Sequence, residues 1–131
     1  MSHGFDNGAQ IGPLIDASGL AKVESLVADA VSHGATVVTG GALDAQGALY
    51  YQPTVLKGLT PNMRIMHEEI FGPVAALFAF SDEAEAVRMA NDTEFGLASY
   101  FYSKDISRVW KVAEALEYGM VGINVGILAT E

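Results

Sequence analysis

The chain contains no cysteine, which excludes disulfides, thiolate metal ligands and a cysteine nucleophile anywhere in its 131 residues. Positive charge is also scarce. Seven Lys and Arg stand against sixteen Asp and Glu, and the resulting net charge of −9 opposes binding to phosphate backbones or anionic membrane surfaces. Long apolar runs are missing too: the longest, Val74 to Phe80, falls far short of the ~20 residues a membrane-spanning helix needs. Met1-Ser2-His3-Gly4 lacks signal-peptide character. No nucleic-acid or membrane partner is expected, and a cytoplasmic location is the default expectation. The three histidines, His3, His33 and His67, are scattered without metal-ligand spacing, so no metal site is expected.

What is present is a globular composition, half apolar and 18% charged, in a chain long enough for one core. From Ala17 or Ser18 onward, Leu20, Val23, Leu26, Val27, Ala30 and Val31 recur at the spacing of one buried helix face, with Gly34 placed to stop the helix. The β-branched run 35–39 reads as a strand entering the Gly40-Gly41 turn, and 49–56 as an extended segment made irregular by Pro53. Val74 to Phe80 reads as a central strand covered on both faces. Asp82 and Glu85 form a capping box for a helix through about Asn91. A strand is expected over 98–102 and another over 120–125. Between them lies a helix capped by Asp105, with an apolar stripe of Ile106, Val109, Trp110, Ala113 and Leu116, closed by Gly119. Trp110 and Met89 are assigned to the core on this pattern. Alternating helix and strand predict an α/β fold with a mostly parallel sheet and covering helices.

Chemistry is concentrated in His67-Glu68-Glu69-Ile70-Phe71-Gly72-Pro73-Val74. A carboxylate can accept hydrogen bonds from both vicinal hydroxyls of a ribose, and an aromatic ring can pack on a flat nicotinamide, so Glu69 and Phe71 on a sharply turned loop suit a nucleotide. The same residues also suit a solvated turn with one core anchor. Other chemistries have less support. Ser99 lacks a flanking glycine elbow, and Gly119, Gly122 and Gly126 are not spaced as a dinucleotide fingerprint.

The octapeptide resembles the cofactor-ribose loop of NAD(P)-dependent aldehyde dehydrogenases. Four further blocks extend the resemblance over essentially the whole chain: Gly12-Pro13-Leu14-Ile15-Asp16, Pro53-Thr54-Val55-Leu56, residues 91–98 (NDTEFGLA) and Gly119-Met120-Val121-Gly122-Ile123-Asn124. The chain is most similar to the succinate-semialdehyde dehydrogenase branch, and residues 1–131 correspond to part of the catalytic domain.

This resemblance implies that Glu69 holds the nicotinamide-side ribose and Phe71 supports the ring of NAD or NADP. It also implies that the turn around Asn124 to Thr130 meets the tail of a small-molecule aldehyde. The branch usually carries a serine in that turn to bind the substrate's distal carboxylate. Ala129 stands at the matching position here, so either Thr130 substitutes or the substrate is longer, such as glutaric semialdehyde. The family's cysteine, general-base glutamate, oxyanion-stabilising asparagine and nucleotide-binding domain all belong upstream of the matched segment. The expectation is therefore a fragment of a semialdehyde dehydrogenase that turns over no substrate alone, binds no cofactor tightly, and self-associates through apolar surface. The competing expectation is a non-catalytic interaction or assembly module.

Overall fold

A computed structural model describes residues 1–47 and 49–127, and the chain divides into two compact units, Met1–Ala79 and Phe80–Glu131. In the first unit, helix α1 (Ala17–Ser32) starts where the extended backbone of Asp16 lets its side chain accept from the Gly19 N–H at 2.8 Å. It stops at Gly34, whose φ of 100° suits the left-handed position after the cap and whose N–H donates to the Val31 carbonyl at 3.0 Å. The helix buries Leu20, Val23, Leu26, Val27 and Ala30, the face expected from their spacing, whereas Val31, expected on the same face, is 44% exposed.

Strands β1 (Thr36–Thr39), β2 (Thr54–Leu59) and β3 (Val74–Phe78) form a sheet in that order, antiparallel between β1 and β2 and parallel between β2 and β3. Most of the α1 face joins Tyr51, Leu56, Leu59, Met63 and Ile65 in one hydrophobic cluster. Each large aliphatic side chain removed from water there contributes roughly 1.5–3 kcal/mol. The one buried polar residue among those described, Thr54, is satisfied: its hydroxyl donates to the Gln52 carbonyl at 2.7 Å and accepts from the Gly41 N–H at 2.8 Å. A four-residue helix, α2 (Arg64–His67), precedes the octapeptide loop.

In the second unit, α3 (Glu83–Asn91) is followed by β4 (Ala98–Phe101), α4 (Ile106–Ala115) and β5 (Met120–Ile123), with β4 and β5 paired in parallel. Asp82 and Asp105 cap the two helices by accepting from the N–H groups of Glu85 and Arg108. Glu85 reaches back to the Ser81 N–H and hydroxyl, so the capping box closes one residue earlier than its usual form. The α/β class and the predominance of parallel pairing agree with the expectation: two of the three strand pairings described are parallel.

Four expectations need correction. β3 is an edge rather than a central strand among the described residues. Only Val74, Ala76 and Phe78 turn toward the core, while Leu77 is 52% exposed. A continuous apolar run reports hydrophobicity on both faces and not that both are covered. The extended segment 49–56 becomes a strand only from Thr54, because Pro53 has no N–H to add to the ladder, and β2 then continues to Leu59 at the centre of its sheet. Trp110 is 65% exposed and Ile106 68%, so that stripe is not core. α4 is apolar on more than one side and buries Val112. Gly119 does not cap α4, whose C-cap is Leu116 with φ −79°; the Gly119 N–H instead donates to the Gly96 carbonyl at the entry to β5.

Candidate functional site

The octapeptide loop is held to α1 at two places. Arg64 donates through Nε and Nη2 to the two carboxylate oxygens of Glu68, at 2.7 and 3.2 Å, and through Nη1 to the Ser25 hydroxyl at 3.0 Å. Its backbone N–H donates to Asp29 at 3.2 Å. Further along, Gly72 lies against Val23. The Arg64 hydrogen bonds hold the Glu68 carboxyl below the ordinary carboxylate range. Between the two anchors, Ile70 packs on the core cluster.

The two adjacent glutamates thus differ in role. Glu68 is locked in an ion pair, whereas Glu69 is exposed and has no hydrogen-bond or ion-pair partner among the described residues. Phe71 is 79% exposed and has a φ of 50°. A bulky residue in that left-handed region costs on the order of 1–3 kcal/mol, and at this exposure burial of the ring offsets little of it. Burial within this unit therefore does not account for Phe71. An unpaired carboxylate and an exposed ring two residues apart, on a loop fixed at both ends, fit the ribose and nicotinamide of a dinucleotide.

Asn124 lies just past β5, in the other unit. It too has a left-handed backbone, with φ 57°, which asparagine tolerates better than most side chains. Its side-chain amide is bonded to one residue: Nδ2 donates to the Ser103 carbonyl and Oδ1 accepts from the Ser103 N–H, both at 2.9 Å. Asn124 thereby fixes the turn, and each amide atom keeps a second hydrogen-bonding position. A cavity of about 600 Å³ adjoins it, lined also by Ser103, Lys104, Ile106, Val109 and Ile123. Ala129 and Thr130 lie outside the described residues.

Glu69 and Phe71 therefore share one loop of the first unit, and Asn124 belongs to the second. Sequence reasoning missed Arg64, although its i,i+4 spacing to Glu68 is the signal of a helical ion pair. It also missed Asn91, which donates to the Ala115 carbonyl and accepts from the Glu117 N–H, tying the end of α3 to the end of α4. No pattern in the sequence marks that long-range contact. A second cavity, of about 650 Å³, lies among α3, α4 and β4. Ser99 Oγ at its lining is buried without a hydrogen-bond partner among the described residues.

The sequence model described as "Aldehyde dehydrogenase family" matches residues 1–131. The chain belongs to the aldehyde dehydrogenase family. Over all 131 residues it is 56% identical to the succinate-semialdehyde dehydrogenase [NADP(+)] of Escherichia coli and 53% identical to the glutarate-semialdehyde dehydrogenase of Pseudomonas aeruginosa, spanning 27% of the length of each. Among solved structures, the succinate-semialdehyde dehydrogenase of Burkholderia pseudomallei superposes on the whole chain with a TM-score of 0.97 at 56% identity, the match again covering 27% of that enzyme. Membership in the family accords with the five sequence blocks and with the α/β architecture.

Proposed function

We propose that this chain supplies cofactor-facing and substrate-facing surface to an NAD(P)-dependent semialdehyde dehydrogenase that oxidises succinic or glutaric semialdehyde to the corresponding acid. The observation that carries the reading is the pairing of a free Glu69 carboxylate with an exposed Phe71 on an anchored loop. Similarity to relatives named for those two substrates supports it.

Glu69 would accept hydrogen bonds from the ribose hydroxyls beside the nicotinamide. Phe71 would flank the nicotinamide ring and shield it from water. When bound, the nicotinamide supplies the hydride acceptor. The name of the E. coli relative favours NADP as the cofactor form. The turn that begins at Asn124 would face the aldehyde's tail, and by the family resemblance Ala129 and Thr130 would contribute to the same contact. Acyl transfer by a thiolate needs a cysteine that these 131 residues do not contain, so the chain alone would not turn over.

The test is oxidation of the two semialdehydes by the full-length polypeptide carrying these residues, followed as reduced cofactor. Activity on at least one is expected, with Glu69→Gln raising the KM for the cofactor about tenfold. Oxidation of neither, or a Glu69→Gln enzyme with unaltered cofactor kinetics, would contradict the reading.

A second reading, self-association of the 131-residue chain, is favoured by its exposed apolar side chains, among them Leu97 at 77%, Ile106 at 68% and Trp110 at 65%. Sedimentation of this chain should show dimers or larger species at micromolar concentration. A monomer throughout the accessible range would remove that reading.

A further inference from the structure

The turn that leaves β5 is shaped mainly by the tail of β4. The parallel ladder ends with Phe101 opposite Ile123, and three further attachments follow it. The Asn124 N–H donates to the Phe101 carbonyl at 3.0 Å, the Asn124 amide brackets the Ser103 main chain, and the Tyr102 hydroxyl donates to the Val125 carbonyl at 2.8 Å. The phenol also reaches the following residue: a Cβ on Gly126 would stand 3.7 Å from the Tyr102 hydroxyl oxygen. The first two attachments hold only Asn124. The bond from Tyr102 reaches past it, to the Val125 carbonyl beside Gly126. The Tyr102 ring itself is 68% exposed, so burial does little to fix it, and what its hydroxyl contributes is direction rather than core packing.

We propose that Tyr102 is a positioning residue for the aldehyde: its hydroxyl sets the path of the turn 124–127, and that path decides which length of semialdehyde tail the enzyme accepts. The inference rests on the assignment of this turn to the substrate under the proposed function. Tyr102 touches no reacting atom and acts through the main chain of Val125. Removing its hydroxyl should therefore alter discrimination between four- and five-carbon semialdehydes while leaving the chemical step intact.

The experiment compares full-length wild type, Tyr102→Phe and Tyr118→Phe on succinic and glutaric semialdehyde, with kcat and KM measured separately. Tyr118 is the control, because its hydroxyl also donates to a main-chain carbonyl, that of Ala90 at 2.5 Å at the end of α3, and makes no hydrogen bond to residues 124–127. Tyr102→Phe is expected to change the ratio of the two KM values about fivefold with kcat within about twofold, and Tyr118→Phe to leave the ratio unchanged. Equal changes for both substrates, or the same change in Tyr118→Phe, would overturn the proposal. If wild type oxidises neither semialdehyde, the functional reading fails, and amide hydrogen exchange decides the structural half. Faster exchange at residues 124–127 in Tyr102→Phe supports the positioning role, and unchanged exchange overturns it.

Discussion

Gly72 packs so closely on Val23 that a Cβ built on the glycine would stand 2.5 Å from Val23 Cγ2, with no room for even a methyl group. The octapeptide loop is thus pressed onto a residue of α1 that is itself wholly buried. Gly72→Ala should destabilise the first unit by about 1–3 kcal/mol through overpacking. Adding Val23→Ala should recover part of that loss, so that the double variant is less destabilised than the sum of the single ones. Denaturant midpoints of the four proteins check this; strict additivity would show that the two residues do not meet.

Phe71 should matter little for folding and much for binding. Phe71→Gly relieves the left-handed backbone but enlarges the freedom of the unfolded chain, so net stability should change by less than about 1 kcal/mol. Loss of the ring should nevertheless weaken cofactor binding by the full-length enzyme about tenfold, the usual scale for an aromatic contact of this size. A large stability loss with unaltered cofactor affinity would reassign Phe71 to the fold.

Acid should loosen the chain in a defined window. Hydrogen bonds from Arg64 hold Glu68 below the ordinary value of 4.5, and those from Lys111 and then Arg108 do the same for Glu83. Ser81 lowers Glu85, and the helix-start N–H groups of Gly19 and Arg108 lower Asp16 and Asp105 below 3.8. Each carboxyl binds its proton less readily folded than unfolded, so each contributes stability above the ordinary range and loses it as pH falls through the lower folded value. Urea midpoints should be flat from pH 7 down to about 4.5 and fall below that. Glu83→Gln, which removes one of these carboxylates, should make the fall shallower. At the alkaline end, burial and then Glu24 raise Tyr51 above 10.0, so its contribution is lost only as pH rises beyond that value.

The purified 131-residue chain should show no aldehyde oxidation with either nicotinamide cofactor, because it has no thiol to attack the carbonyl. Turnover by a preparation free of longer enzyme, measured by cofactor reduction, would require a different nucleophile.

The parts of this architecture that could be read in the sequence are those governed by local rules. α1 follows from apolar spacing and a stop at Gly34, and α4 begins at Asp105 because a carboxylate there meets the first free N–H groups. Long-range contacts were not legible. Whether an apolar run is central or at an edge depends on what lies beside it, so β3 was misplaced. Trp110 looked like core because spacing shows that a face is apolar and not what covers it. At the candidate site, Glu69 and Phe71 could be named, but the division of labour between Glu68 and Glu69 depends on Arg64 lying one helical turn before Glu68, and the left-handed backbone of Phe71 leaves no mark in composition. Asn124 was singled out as a contact with substrate; its pair of hydrogen bonds to the Ser103 main chain depends on the parallel register of β4 with β5, which no single segment specifies.

The ten-residue cluster under α1 lies wholly within Met1–Ala79, whereas Val112 is the one buried hydrophobic side chain described beyond it. Amide protons of α1 and β2 should consequently exchange with solvent last, and those of residues 80–127 much earlier, through openings that leave the rest of the molecule intact. The turn assigned to the aldehyde sits in that softer portion. On the proposed reading, discrimination at the aldehyde's tail would then rest on the part of the chain that opens most readily, and conditions that favour local opening would blur it before they unfold the α1 core.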